Sequence, residues 1–167
     1  MEVRKTVPAD LDGIMEVIEQ GREYLRSQGI DQWQNGYPNR DSFLADIAEG
    51  NSYVLTDGEQ IYGVYYLKFG DDPDYAVIED GAWPDHEPYA VIHRMGIRAE
   101  NKGRGYAGIM FAAAAEKAKE KGVFELRIDT HEKNLSMQRA VTKFGFVRCG
   151  RVYIGGTAPR IAFAKRL

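Results

Sequence analysis

Residues 89–111 read YAVIHRMGIRAENKGRGYAGIMF: an apolar strand pattern runs into a charged, glycine-rich loop and then into a helix pattern. Gly103, Gly105 and Gly108 stand in the spacing G-x-G-x-x-G, and Asp129 lies about 20 residues beyond, where an acid would meet a ribose hydroxyl. Taken alone, the spacing is a dinucleotide fingerprint. Its surroundings argue against that. A dinucleotide turn places its first glycine directly off the strand, whereas here RAENK separates Ile97 from Gly103 and adds three charges.

Upstream, EVRKTV alternates as a first strand. Pro8 and Asp10 then open a helix whose Leu11, Ile14, Met15, Ile18 and Leu25 recur at helical spacing and which ends by Gly29. The turn-rich stretch GIDQWQNGYPNRD precedes a short helix through Phe43, Leu44 and Ile47 that stops at Gly50. SYVLT and QIYGVYYLKF flank DGE, a hairpin signal. GDDPD leads to a short apolar run, YAVIE, and DGAWPDHEP interrupts before the strand from Tyr89 to Ile97. Downstream lie a helix from Arg104 to Lys121, the strand FELRIDT, a helix from Asn134 to Lys143, and two strands around GFVRCGRVY and RIAFAKRL. The chain therefore holds one βαβ crossover, too few for a doubly wound dinucleotide domain.

A chain of 167 residues, 44% of them hydrophobic, is room for a single domain over residues 1–167. Its net charge of −3, with no Arg/Lys block interleaved with aromatics, argues against nucleic acid as a partner. The only cysteine, Cys149, has no intrachain partner, and MEVRKTVPAD lacks the apolar core of a signal peptide. Both facts suit a reducing cytosol, and a cytoplasmic location is expected. No apolar run approaches the roughly 20 residues of a membrane span. His86 and His131 read as turn or solvated residues, and no His, Cys and acid cluster has metal-ligand spacing, so no metal is expected.

The glycine loop suits an anion. The helix after it has no Ser, Thr, Asp or Asn cap close to the glycines and no acid in its first turn, so several backbone N–H groups lack an internal acceptor. Gly103 and Gly105 permit close backbone approach, Lys102 and Arg104 add positive charge, and the helix dipole favours negative charge at this end. A phosphate or pyrophosphate fits. A P-loop does not, since no Gly-Lys-Ser/Thr follows to complete a magnesium site.

In these residues the chain resembles the GNAT family of N-acetyltransferases, whose mark is a strand, a loop of the form Arg/Gln-x-x-Gly-x-Gly/Ala, and a helix. Here Lys102 takes the Arg/Gln place, and Gly105 and Ala107 take the small positions. A second family segment, from an Asn to a terminal Gly-Phe, is matched by NLSMQRAVTKFGF with Asn134, Lys143, Gly145 and Phe146. The resemblance implies an α/β (α+β) fold: a mixed, mostly antiparallel twisted sheet of six to seven strands, helices on both faces, and one splayed parallel pair forming an acyl-CoA cleft. It implies acetyl-CoA as co-substrate, with the pyrophosphate on Lys102, Gly103, Arg104, Gly105, Tyr106 and Ala107, the pantetheine along Met95, Gly96 and Ile97, and further contacts from Asn134 and Lys143.

Such an enzyme must set a neutral amine against a thioester, pass through a tetrahedral oxyanion and release a thiolate. An amine with pKa near 10.4 is only about 0.04% neutral at pH 7, a cost of roughly 4–5 kcal/mol unless a base or an apolar pocket takes the proton. His93 is the first candidate base: it lies on the strand that approaches the thioester, and alternation would place it on one face with Met95 and Ile97. Glu79 and Asp80 are rival bases, acting directly or through water. A backbone N–H near Met95 or Ile97 would donate to the oxyanion. Many members carry a Tyr general acid in Leu-Tyr-x-Lys-x-Gly-Phe, but this chain has Val141 there, leaving Tyr153 or Tyr106 as substitutes, or unassisted departure of the thiolate. Cys149 reads as a small strand residue rather than an acyl carrier.

The acceptor is expected to be a small-molecule or peptide amine, with Trp33 and Tyr37 as an aromatic wall and with Glu79, Asp80 and Asp85 near Trp83 attracting a cation. Trp33 reads equally well as a lid on the core. The Val141 departure keeps a second reading open, an acyl-CoA-binding sensor without turnover. The last strands offer an edge for a homodimer, although nothing in the sequence requires one.

Overall fold

The structure is a computed structural model and describes residues 1–167. Seven strands form one mixed sheet: β1 (Glu2–Lys5), β2 (Ser52–Thr56), β3 (Ile61–Phe69), β4 (Ala90–Ile97), β5 (Glu125–Thr130), β6 (Val147–Ile154) and β7 (Ala158–Arg166), in the order β1-β2-β3-β4-β5-β7-β6. Four helices accompany them: α1 (Leu11–Ser27), α2 (Arg40–Glu49), α3 (Tyr106–Glu120) and α4 (Leu135–Phe144). The single parallel pair is β4 with β5, registered at Ala90 with Leu126 and Val91 with Arg127. The α3 crossover between them is the βαβ unit expected from the sequence. No helix is long and apolar enough to cross a membrane.

Two compact units divide the chain, Met1–Leu67 with His93–Ala113, and Lys68–Ile92 with Ala114–Leu167. In the first, α1 buries Leu11, Ile14, Val17 and Ile18 against Phe43 of α2 and Val54, Ile61 and Val64 of β2 and β3. Each such side chain contributes about 1.5–3 kcal/mol by leaving water. Gly13 is what lets α1 lie so close, since a Cβ there would stand 2.8 Å from Ile61 Cγ1. α2 begins at a reciprocal cap, in which Asn39 Oδ1 accepts from the Ser42 N–H at 3.0 Å and Ser42 Oγ accepts from the Asn39 N–H at 3.2 Å. It ends at the left-handed Gly50, as the sequence predicts.

The second unit packs Tyr75, Tyr89, Val91, Val152 and Ala162 into a core of its own. The run YAVIE, which precedes β4, forms no strand. Its Tyr75 closes a 3₁₀ turn over Pro73–Tyr75, and Glu79 makes only an isolated bridge to Arg151. Antiparallel β6 and β7 carry an irregularity between Arg148 and Gly150, next to Arg151, which bridges to Glu79.

Candidate active site

In the first unit, the segment after β4 makes a 3₁₀ turn over Ala99–Asn101 and then passes through Gly103 (φ 81°) and Gly105 (φ 83°) into α3 at Tyr106. A left-handed backbone at both positions requires glycine or costs about 1–2 kcal/mol. Neither glycine would meet any atom within 4 Å of an added Cβ, so the outer side of the loop stands open. The first turn of α3 carries no acid, and its leading amides have no intrahelical acceptor. Lys102, Arg104 and the helix N-terminus thus present positive charge together. Tyr106 and Ala107 begin that first turn, with the Tyr106 ring edge-on to Tyr62 at 5.8 Å.

The loop is tied to α1 at three points one helical turn apart. Arg98 Nη2 donates to Glu16 Oε2 at 2.8 Å, the Ala99 N–H donates to Gln20 Oε1 at 2.7 Å, and Lys102 Nζ stands 3.2 Å from the centroid of the Tyr24 ring. Burial on that ring holds the Lys102 ammonium below the ordinary lysine value.

β4 departs from the sequence expectation. Arg94 has φ 51°, a left-handed residue inside a strand, so strict alternation stops between His93 and Met95, and the premise that set both on one face is lost. Its guanidinium Nε donates to Asp46 Oδ2 at 2.7 Å, and Nη2 and Nη1 bond Asp46 Oδ1 and the Tyr37 hydroxyl. The Arg94 Cζ lies 4.5 Å from the Tyr66 ring centroid, and the Tyr66 hydroxyl donates to Glu49. Burial pushes the Asp46 carboxyl up, with Arg94 pulling it back. Met95 and Gly96 are buried, while His93 and Ile97 are half-buried.

Trp33 and Tyr37 part company. Trp33, also left-handed at φ 66°, packs against the core beside Gly21, where a Cβ would stand 2.9 Å from its ring, and so takes the lid position. Tyr37 is exposed and bonded to Arg94.

In the second unit the structure brings three predicted residues together. The Tyr153 hydroxyl donates to Glu79 Oε2 at 3.1 Å, Glu79 exchanges backbone bonds with Arg151 at 2.9 and 2.8 Å, and Arg151 Nε lies 3.9 Å from Asp80 Oδ2. Asp80 is left-handed too, at φ 55°. The segment 78–81 lies flush on β6 because of two glycines: a Cβ on Gly81 would stand 1.9 Å from the Cys149 carbonyl oxygen, and one on Gly150 2.4 Å from that of Glu79. The three left-handed residues other than glycine are Trp33, Asp80 and Arg94, two of them sequence candidates and the third between two more.

Other residues of this unit have structural partners. Asn134 Oδ1 caps α4 by accepting from the Met137 N–H at 3.2 Å, while Lys143 is exposed in its last turn. Val141, at the family's tyrosine position, is fully buried. Asp129 accepts from the buried Tyr75 hydroxyl at 2.7 Å, which fits no ribose contact. Trp83, expected beside acids that draw in a cation, already has one: the Arg127 guanidinium lies between Trp83 and Tyr89, at 4.2 and 3.7 Å from their ring centroids. Burial pushes the Cys149 thiol up, away from reactivity.

Sequence reasoning named neither Asp46 nor Arg94. A signal for Asp46 was present, because it stands three residues after Phe43 on the inward side of α2, and a buried acid requires a cation. Tyr24 and Tyr66 carried no comparable mark.

Comparison with known proteins places this geometry. The model of the GNAT acetyltransferase family matches residues 18–146. An acetyltransferase of that family from Streptococcus agalactiae is 34% identical with a TM-score of 0.90, covering 99% of this chain and 95% of its own. A GNAT acetyltransferase from Listeria monocytogenes, 22% identical with a TM-score of 0.72, covers 99% and 94%. The PaiA N-acetyltransferase of Thermoplasma acidophilum, solved in complex with coenzyme A, shares the fold at 18% identity and a TM-score of 0.75, covering 99% and 98%. No curated protein matches the chain. The family match over most of the chain, with the fold agreeing throughout, gives the conclusion that this protein belongs to the GNAT acetyltransferase family.

Proposed function

We propose that the protein is an N-acetyltransferase that moves the acetyl group of acetyl-CoA to a primary amine by direct attack in a ternary complex. The observation that carries this reading is the loop from Lys102 to Ala107: two left-handed glycines, an acid-free helix start, and two cations. Such a loop takes a pyrophosphate on backbone N–H groups between Gly103 and Ala107, apart from that of Arg104, which donates to the Asn101 carbonyl at 3.3 Å. The pantetheine runs along Met95, Gly96 and Ile97, and Asn134 and Lys143 add contacts from α4. The likeness to a fold solved with coenzyme A supports this reading.

His93 takes the proton from the ammonium, the freed amine attacks the thioester carbon, and a backbone N–H at Met95 or Ile97 donates to the oxygen as charge develops. The tetrahedral intermediate collapses with cleavage of the carbon–sulfur bond. Tyr153, held by Glu79, supplies the proton to the departing thiolate, a role Val141 has no group to fill. Glu79 and Asp80 are the alternative bases. Tyr37, exposed beside Arg94, borders the acceptor, whose amine is a small molecule's or a peptide's.

The test is thiol release from acetyl-CoA across an amine panel, with the wild type and His93→Ala. Release of coenzyme A with some amine, reduced about 100-fold or more by His93→Ala, supports the proposal. Binding of acetyl-CoA with no release above hydrolysis for any amine would instead assign the chain as an acyl-CoA sensor, the reading that the buried Val141 favours.

A further inference from the structure

Arg94 occupies a conformation that side chains other than glycine seldom adopt, in the middle of β4, between the proposed base His93 and the proposed oxyanion donor at Met95. Nothing local favours it: the flanking sequence VIHRMGI is a continuous strand pattern without a turn residue at position 94. What holds it comes from elsewhere in the first unit. Asp46, in the second turn of α2 and only 4% exposed, grips the guanidinium with both carboxylate oxygens, Tyr66 of β3 lies against its face, and Tyr37 takes the remaining edge. A bidentate pair fixes the plane of the guanidinium as well as its position, so it resists the backbone rotation that would return residue 94 to the extended form.

We propose that Asp46 is a positioning residue for acyl transfer: through Arg94 it pins the left-handed kink of β4, and the kink sets where the Met95 backbone N–H and the His93 side chain point. The proposal rests on the acetyltransferase reading for its effect on rate. The clamp itself is a statement about the backbone and is tested separately. Asp46 touches neither substrate in this scheme, and a purely structural ion pair would register as lost stability on removal of either partner while leaving kcat in place.

Glycine makes that distinction measurable, since it adopts the left-handed form without a clamp. The experiment is a double-mutant cycle over Asp46→Asn and Arg94→Gly. Its two readouts are the backbone amide chemical shifts of residues 93–96 and thiol release from acetyl-CoA with the best amine of the panel. In the wild-type background Asp46→Asn is expected to displace the Met95 amide signal and lower kcat about 100-fold, with the KM for acetyl-CoA within about twofold. In the Arg94→Gly background the same change is expected to cost less than about twofold and to leave the Met95 signal where Arg94→Gly alone puts it.

Equal losses from Asp46→Asn in both backgrounds would overturn the proposal by making Asp46 act directly on His93, whose charge reaches it, and unfolding of both Asp46→Asn proteins would overturn it by assigning Asp46 to stability alone. A rise in the amine's KM on Arg94→Gly, with no recovery in the double variant, would also overturn it, by making the guanidinium a substrate contact. If no amine is acetylated, the acetyltransferase reading fails, while the amide shifts still decide whether Asp46 holds the kink.

Discussion

The Tyr153 hydroxyl donates to the Glu79 carboxylate at 3.1 Å, joining residues 74 positions apart on β6 and on the segment before β4. In the proposed reaction this phenol delivers the proton to sulfur. Tyr153→Phe is expected to lower kcat by about tenfold, at the small end of general acid effects because a thiolate is already a fair leaving group. The Kd for acetyl-CoA should stay unchanged. Thiol-release kinetics beside calorimetric titration check both, and a Kd that moves with kcat would make Tyr153 a binding residue instead.

Lys102 gives a pH dependence with a defined sign. Burial against Tyr24 lowers its pKa, so the ammonium is lost earlier in the alkaline range than that of an ordinary lysine. A bound pyrophosphate would raise it again, so binding takes up a proton between the lowered and the restored values, and affinity for coenzyme A falls as pH rises through that interval. Lys102→Arg should abolish this alkaline limb because arginine stays charged, and Lys102→Ala should weaken binding about tenfold at neutral pH. Titration calorimetry across neutral to alkaline pH decides it. An identical alkaline limb in Lys102→Arg would trace it to another group.

Asp10 makes the acid side of stability testable. It accepts from Arg4 at 2.8 and 2.9 Å and from the Val7 N–H at 2.8 Å, and the Arg4 bond foremost holds its carboxyl below the ordinary value. A lowered folded-state pKa means that this stability is fully present above the unfolded value of about 3.9 and is lost as pH falls through the folded one. Asp10→Asn is expected to cost about 1–3 kcal/mol at neutral pH and to flatten the fall in stability toward acid. Urea midpoints against pH measure this, and an unaltered acid slope in the variant would contradict it.

Gly81 and Gly150 are each placed where an added Cβ meets a carbonyl oxygen of the facing segment, at 1.9 and 2.4 Å. Gly150→Ala should cost at least about 2 kcal/mol and lift Glu79 away from Tyr153, reducing kcat more than the Kd for acetyl-CoA. Gly103→Ala is the control: with open space around the Cβ, its cost is the left-handed strain of about 1 kcal/mol. Comparable melting temperatures for the two variants would refute the steric argument.

The parts legible in the sequence were those encoded locally. Apolar spacing gave α1, Gly29 and Gly50 marked the ends of α1 and α2, and DGE marked the hairpin, because each signal acts within a few residues of itself. The glycine turn before α3 was legible for the same reason. Arg94 was not. An arginine inside VIHRMGI reads as an ordinary strand position, and its conformation is set by Asp46, 48 residues earlier. Arg127 between Trp83 and Tyr89 escaped likewise, since its partners meet only through tertiary packing, and the acids near Trp83 gave a misleading local cue. Glu79 and Tyr153 each carry a group suited to proton transfer, but no sequence pattern joins them. Their adjacency depends on two glycines with positive φ, and steric clearance of that kind leaves no periodic trace.

The row Glu16, Gln20 and Tyr24 along α1 has a thermodynamic consequence for whatever anion the loop accepts. Arg98, Ala99 and Lys102 are fastened to that helix before the first left-handed glycine, so the ordering that remains for a ligand is confined to Gly103 and Gly105. Most of the configurational loss is thereby incurred during folding, and association carries a correspondingly small entropic penalty. In amide hydrogen exchange, protection acquired on adding coenzyme A should begin abruptly at residue 103, while Ala99 to Lys102 exchange as slowly without it as with it.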